Sequence, residues 1–143
     1  MKKYLFLLIT ITAFATANAQ SAKVKNEVKQ LLFQQAQDWN NGDIDAFMQS
    51  YWKSDQLQFI GNTKVTYGWQ NTLDRYKKAY PDKAAMGKLT FEIIEIQKLG
   101  SKSLALTGKF MLDRSDLEDL SGHFLLIWRK IKGKWVIVAD CTT

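Results

Sequence analysis

The sequence predicts an α+β domain, and three observations carry that prediction. Apolar residues recur at helical spacing as far as Tyr80, the period changes to two from Gly87 onward, and the helical part precedes the strands. Helices followed by a meander place three N-terminal helices on one face of a curved, antiparallel or mixed sheet, and argue against a parallel α/β arrangement.

The first helix is expected from Ser21 to Asn41, because Val24, Val28, Leu31, Leu32, Ala36 and Trp39 fall at steps of three and four. Asn40-Asn41-Gly42 ends it, and Asp43 caps a second helix carrying Ile44, Phe47, Met48, Tyr51 and Trp52 on one face. Leu57–Ile60 and Val65–Tyr67 read as two short strands around the turn Asn62-Thr63-Lys64. Gly68 opens a third helix with Trp69, Leu73, Tyr76 and Tyr80 on one side, and Pro81 stops it. Four longer strands follow, expected at Leu89–Gln97, Ser103–Asp113, Ser121–Ile131 and Lys134–Asp140. The last two are apolar on both faces, so one face is expected to meet the helices and a pocket, the other a second copy of the chain.

Composition narrows the class. Of 143 residues, 46% are hydrophobic and 24% charged, which suits a packed core and excludes disorder. One cysteine and one histidine cannot supply a disulfide or the ligands of a zinc site, so no metal and no cofactor is expected. Lys2 and Lys3, the apolar run Leu5–Phe14 and the small-residue motif Ala17-Asn18-Ala19 make a secretory signal peptide, residues 1–19, cut after Ala19. The run is shorter than the roughly 20 residues of a spanning helix. A periplasmic or secreted domain of residues 20–143 with no membrane span is therefore expected. It keeps 18 basic against 14 acidic residues, spread along the chain with only three arginines, unlike a nucleic-acid binder.

The segment Trp39-Asn40-Asn41-Gly42-Asp43, Phe59-Ile60-Gly61, Tyr67-Gly68, the run Gly122–Lys130 and the ending Gly133-Lys134-Trp135 to Asp140 carry a family likeness. In order and spacing they resemble the nuclear transport factor 2-like superfamily, the SnoaL-like and ketosteroid-isomerase-like group, and most of all its small bacterial members of unassigned function. The resemblance covers nearly all of residues 20–143 and implies a cone-shaped fold with a pocket between helices and sheet. It fixes no reaction, since the fold serves isomerases, dehydratases, hydrolases, ligand binders and dimerisation modules. Two departures stand out. Members commonly end in Asp-His-Thr-Ser where this chain has Asp140-Cys141-Thr142-Thr143, and nothing acidic lies between Leu57 and Gly68, where ketosteroid isomerases keep a base.

The last hairpin decides which polar groups meet. A two-residue loop would force positive φ on Lys132, so a three-residue loop, Ile131-Lys132-Gly133, is expected, pairing Lys130 with Lys134. Phe124 then lies opposite Asp140 and His123 opposite Cys141, with His123 and Asp140 on opposite faces; the alternative two-residue loop would put those two on the same face. By resemblance, the face of Asp140 lines the cavity together with Val136, Val138 and Thr142. Asp140 among apolar side chains is the candidate catalytic acid or base, or a hydrogen-bond anchor. Alternatively it is bonded to Tyr67, Tyr51, Arg75 or a backbone amide and holds the strand end. Tyr51, Tyr67, Trp69, Tyr76, Phe124 and Trp128 are the aromatic candidates for a ligand wall, with Val138 beside them. His123 is a candidate base or a packed residue, and Cys141 a thiol paired with it or a small buried hydrophobe.

The sequence thus favours an exported homodimer binding a small apolar or aromatic molecule. An isomerase, dehydratase or hydrolase working through Asp140 in the same pocket is the alternative, and a non-catalytic dimerisation module the third.

Overall fold

The computed structural model describes the backbone of residues 2–143 and the side chains of residues 20–143, so the expected signal segment and its cut after Ala19 fall outside the described side chains. The chain divides into two compact units, Met1–Gln30 and Leu31–Thr143. Helix α1 spans Lys2–Asn40, and residues 2–30 of it belong to the first unit. The second unit holds the rest of α1 and all other elements.

Gly42, at φ 84°, takes the left-handed conformation that ends α1. The Asp43 carboxylate then accepts from the Ala46 amide at 2.8 Å and starts α2 (Ile44–Phe47), as expected. The expected second helix is shorter than its apolar pattern: it tightens into a 3₁₀ turn, Met48–Ser50, and is extended by Tyr51. Strands β1 (Gln58–Ile60) and β2 (Val65–Tyr67) form a small hairpin, followed by α3 (Trp69–Ala79). A single-turn helix α4 (Lys83–Met86), capped by Asp82, was not expected from the sequence, since four residues are too few to show a period.

Strands β3 (Lys88–Gly100), β4 (Ser103–Asp113), β5 (Leu120–Ile131) and β6 (Lys134–Thr142) form the meander. The sheet is six-stranded, open and mixed, in the order β2-β1-β6-β5-β4-β3, with β1 parallel to β6 and every other pair antiparallel. Helices therefore pack on a mixed sheet, the α+β arrangement the sequence predicts.

The last hairpin differs from expectation. Ile131 pairs with Lys134 across a two-residue loop, with φ 48° at Lys132 and 81° at Gly133. The type I′ twist that suits a right-handed strand pair outweighs the cost of a left-handed lysine. A bulge follows: Trp128 pairs with Ile137 but Ile127 with Ala139, leaving Val138 as the extra residue. Beyond the bulge Leu126 lies opposite Asp140, Leu125 opposite Cys141 and Phe124 opposite Thr142.

The loop and the bulge each shift the register by one residue, so together they restore the face. Phe124, Leu126, Trp128, Ile137 and Asp140 are all buried on the helix-facing side. Val136 and Val138, expected beside Asp140, belong to the opposite face because the extra residue reverses the alternation between Ile137 and Asp140. Cys141 faces Leu125 and not His123, which pairs with Lys109. That outer face carries Ala105, Thr107, Leu125, Ile127 and Ala139, of which Leu125 is 41% exposed.

Candidate functional site

The site grows from three neighbouring backbone segments. Tyr51 bridges to Ile137 in parallel, and the Trp52 amide donates to the Ile137 carbonyl at 2.9 Å, which lays the end of the 3₁₀ turn along β6. On the other side Phe59 pairs with Asp140 in the parallel β1–β6 ladder. The Val138 bulge then turns Asp140 to the helix side, where Tyr51 reaches it.

Asp140 is 2% exposed, and both its oxygens are engaged: Oδ2 accepts from the Tyr51 hydroxyl at 2.6 Å and Oδ1 from the Thr142 hydroxyl at 2.5 Å. The Tyr76 hydroxyl lies 3.5 Å from that of Tyr51. Tyr51 has one proton and gives it to Asp140, so Tyr76 is the donor in that longer contact. Burial raises the Asp140 carboxyl above the ordinary carboxylate value, although the Thr142 and Tyr51 hydrogen bonds and the Arg75 charge pull it down in part. Burial also pushes Tyr51 and Tyr76 well above the usual phenol value, and the Asp140 charge adds to it. Both phenols therefore stay protonated and act as donors.

A cavity of about 70 Å³, counted as space open to water-molecule centres, adjoins this cluster. A single water needs roughly 10–15 Å³ on that measure, so the cavity holds several waters or a small organic group. Its helix side is Trp39, Phe47, Tyr76 and Tyr80, whose rings meet mostly edge to face at 4.8–6.2 Å. Its sheet side is Phe91, Phe110, Phe124, Leu112 and Leu126. Asp140, Tyr51, Thr142 and Gln35 supply the polar groups. A larger cleft of about 320 Å³ shares Tyr76, Tyr80, Phe110 and Thr142 with the cavity and adds Arg75, Gly61, Asn62 and Thr63.

Among the sequence candidates, Tyr51, Tyr76, Phe124 and Asp140 come together at the cavity. Four do not. Tyr67 stands 57% exposed on the edge strand β2. Trp69 donates its indole N–H to the Met48 carbonyl at 2.9 Å under the Lys53 ammonium, tying α3 to the 3₁₀ turn. Trp128 is fully buried in the core, opposite Leu104 and Ile137. Val138 faces away through the bulge. His123 and Cys141 lie on the outer face, apart from Asp140.

Gln35 was missed: it is 1% exposed, donates to the Phe47 carbonyl at 3.2 Å and lines the cavity. Its signal was a polar residue in the apolar stripe of α1, three residues after Leu32 and four before Trp39. Among the described residues no cluster of three or more His, Cys, Asp or Glu could hold a metal ion, and no helix is long and apolar enough to cross a membrane.

Comparison with solved structures finds an NTF2-like protein of unknown function from Shewanella oneidensis MR-1, 42% identical over 82% of this chain and 97% of that one, with a TM-score of 0.79. An NTF2-like superfamily protein from Salmonella enterica is 18% identical over 86% and 92% of the two chains, with a TM-score of 0.67. A ketosteroid isomerase-like protein from Erwinia carotovora atroseptica is 16% identical over 80% and 90%, with a TM-score of 0.61. The last two show the fold alone. No protein-family model and no curated protein matches the chain. Helices on an open six-stranded mixed sheet, a fold that serves ligand binding or enzymatic chemistry, agree with the level of identity to the Shewanella protein: the chain belongs to the NTF2-like family.

Proposed function

We propose that this protein binds a small, mostly apolar or aromatic molecule in the cavity beside Asp140, with the Asp140–Tyr51 pair as its polar anchor. The observation that carries this reading is a buried carboxylate with a single donor on each oxygen, facing an aromatic-walled space. A carboxylate oxygen accepts two hydrogen bonds, so each keeps one site for a ligand hydroxyl or N–H. The apolar walls supply affinity, and the few convergent polar groups fix orientation.

A second reading is favoured by the raised Asp140 carboxyl: a proton-transfer enzyme of the same pocket, an isomerase, dehydratase or hydrolase. Asp140 would take the proton and Tyr51 would steady the charge left behind. The two readings separate on Asp140→Asn. Thermal shift and calorimetry against small aromatic and aliphatic metabolites should give hits whose affinity falls in the variant. Under the enzyme reading the variant also loses turnover of such a hit. A broad panel without any hit overturns both and leaves the dimerisation module.

Export to the periplasm or beyond, with the cut after Ala19, belongs to the same proposal; mass spectrometry of the protein recovered outside the cytoplasm tests it. So does pairing of two copies through the outer face around Leu125, for which a monomer mass by light scattering is the contrary result.

A further inference from the structure

Arg75 stands on α3 with its guanidinium carbon 4.5 Å from the centre of the Phe59 ring. Phe59 is the β1 residue paired with Asp140, so the cation lies over the ring of the carboxylate's cross-strand neighbour. The other contact of the guanidinium is a long one, 3.5 Å from Nη1 to the Thr66 hydroxyl. Gly61 makes room for it: a Cβ there would sit 2.7 Å from Nη2. Neither ion pair among the described residues, Lys77–Asp45 and Lys109–Glu92, involves Arg75. Arg75 is half-buried and borders the larger cleft, whose other lining side chains, such as Asn62, Thr63 and Phe110, are uncharged.

Resting on the pocket reading above, we infer that the ligand is a small aromatic or apolar carboxylic acid. Its carboxylate sits on Arg75 in the cleft, and its apolar body points into the cavity past Tyr76, Tyr80 and Phe110. The charges of the site sort the ends of the ligand. An anion placed beside Asp140 would meet a like charge in a poorly solvated space, whereas at Arg75 it meets a planar donor fork that forms no ion pair among the described residues and is suited to carboxylate. Tyr76, Tyr80, Phe110 and Thr142 line both spaces, so cleft and cavity adjoin along a mostly aromatic wall. Asp140 is thereby left to accept from a hydroxyl or N–H at the far end of the molecule, if it carries one.

Isothermal titration of the full chain with benzoate, phenylacetate and 3-phenylpropionate, each beside its uncharged amide, tests this. The acids should bind about tenfold or more tighter than their amides, a preference that falls as salt is raised. Arg75→Gln should bring the acid-to-amide ratio close to one, while Arg75→Lys keeps part of it. Equal binding of acids and amides by the wild type, or an undiminished ratio in Arg75→Gln, overturns the inference and leaves the pocket standing. Binding of neither acids nor amides overturns the pocket reading and this inference with it. Should Arg75→Gln fail to fold, the wild-type ratio and its salt dependence decide.

Discussion

The Tyr51 hydroxyl donates to Asp140 at 2.6 Å, joining the end of a 3₁₀ turn to the last strand across 89 positions of sequence. Tyr51→Phe removes that proton while keeping the ring contact with Phe47. It leaves one oxygen of a buried carboxylate without its donor, and a hydrogen bond to a charged group is worth about 1.5–3 kcal/mol. Urea unfolding should show a loss of that order at neutral pH. The loss should shrink in acid, where Asp140 is protonated and needs the donor less; a loss independent of pH would count against the pairing.

Asp140→Asn tests the protonation of the site. Burial is the largest cause of the raised Asp140 value, so the folded state holds the proton more tightly than the unfolded chain. The stabilising contribution of the protonated carboxyl is therefore full in acid and is lost as pH rises through the folded-state value. The asparagine variant lacks this titration but sacrifices one of the two hydroxyl bonds, at about 1 kcal/mol whatever the pH. Wild type minus variant stability, from parallel denaturation series, should decline from acid to neutral pH; a rising difference would mean that Asp140 is held below its unfolded value.

How far the sequence could be read follows from where its pattern is one-sided. The end of α1 just before Gly42, the start of α2 after its cap Asp43 and the start of α3 after Gly68 are legible because a terminal residue and an apolar stripe mark each. Strand β6 gives no such mark: Val136, Ile137, Val138 and Ala139 are apolar at every position, so alternation cannot reveal the bulge at Val138. Phe124 and Asp140 were expected on one face for a register that does not occur, and share it because the tight loop and the bulge offset each other. Tyr67, Trp69 and Trp128 show the limit of residue type as a guide. Their rings suit a pocket, yet edge position, a backbone acceptor and core depth place them elsewhere. Gln35 and Arg75 act through neighbours distant in sequence, Phe47 and Phe59, which only the folded chain brings near.

Gly108→Ala probes the sheet side of the cavity. A Cβ at Gly108 would lie 2.5 Å from the Phe124 ring and 2.6 Å from the Glu92 carbonyl oxygen, and the second is backbone that cannot swing aside. Overpacking of this kind costs about 1–3 kcal/mol. The Phe124 ring, which packs edge to face on Phe91 at 5.3 Å, should be displaced, so the variant should both melt lower and lose affinity for any ligand of the cavity. Unchanged melting would show that the β3–β4 ladder shifts freely at this point.

His123→Ala should leave ligand affinity and turnover unaltered. The β5 alternation sends His123 to the outer face and Phe124 to the cavity, and Lys109, not Asp140, is its cross-strand neighbour. A titration that shows weaker binding in this variant would contradict that assignment.

Lys132 pays the strain of the tight hairpin, and relieving it should stabilise the fold. At φ 48° its Cβ crowds the following carbonyl, a cost of about 1–2 kcal/mol that asparagine partly escapes because its short side chain bonds locally in the left-handed region. Lys132→Asn followed by Gly133 is the preferred type I′ pair, so thermal or urea unfolding should show a gain of about 0.5–1 kcal/mol. Lys132→Val, whose branched Cβ suffers most at positive φ, should show a loss instead. A gain from valine together with a loss from asparagine would restore the three-residue loop and with it the pairing of Lys130 with Lys134. The direction of this pair of substitutions thus reads out, in solution, the register in which β5 and β6 leave the hairpin, the first of the two offsets that place Asp140.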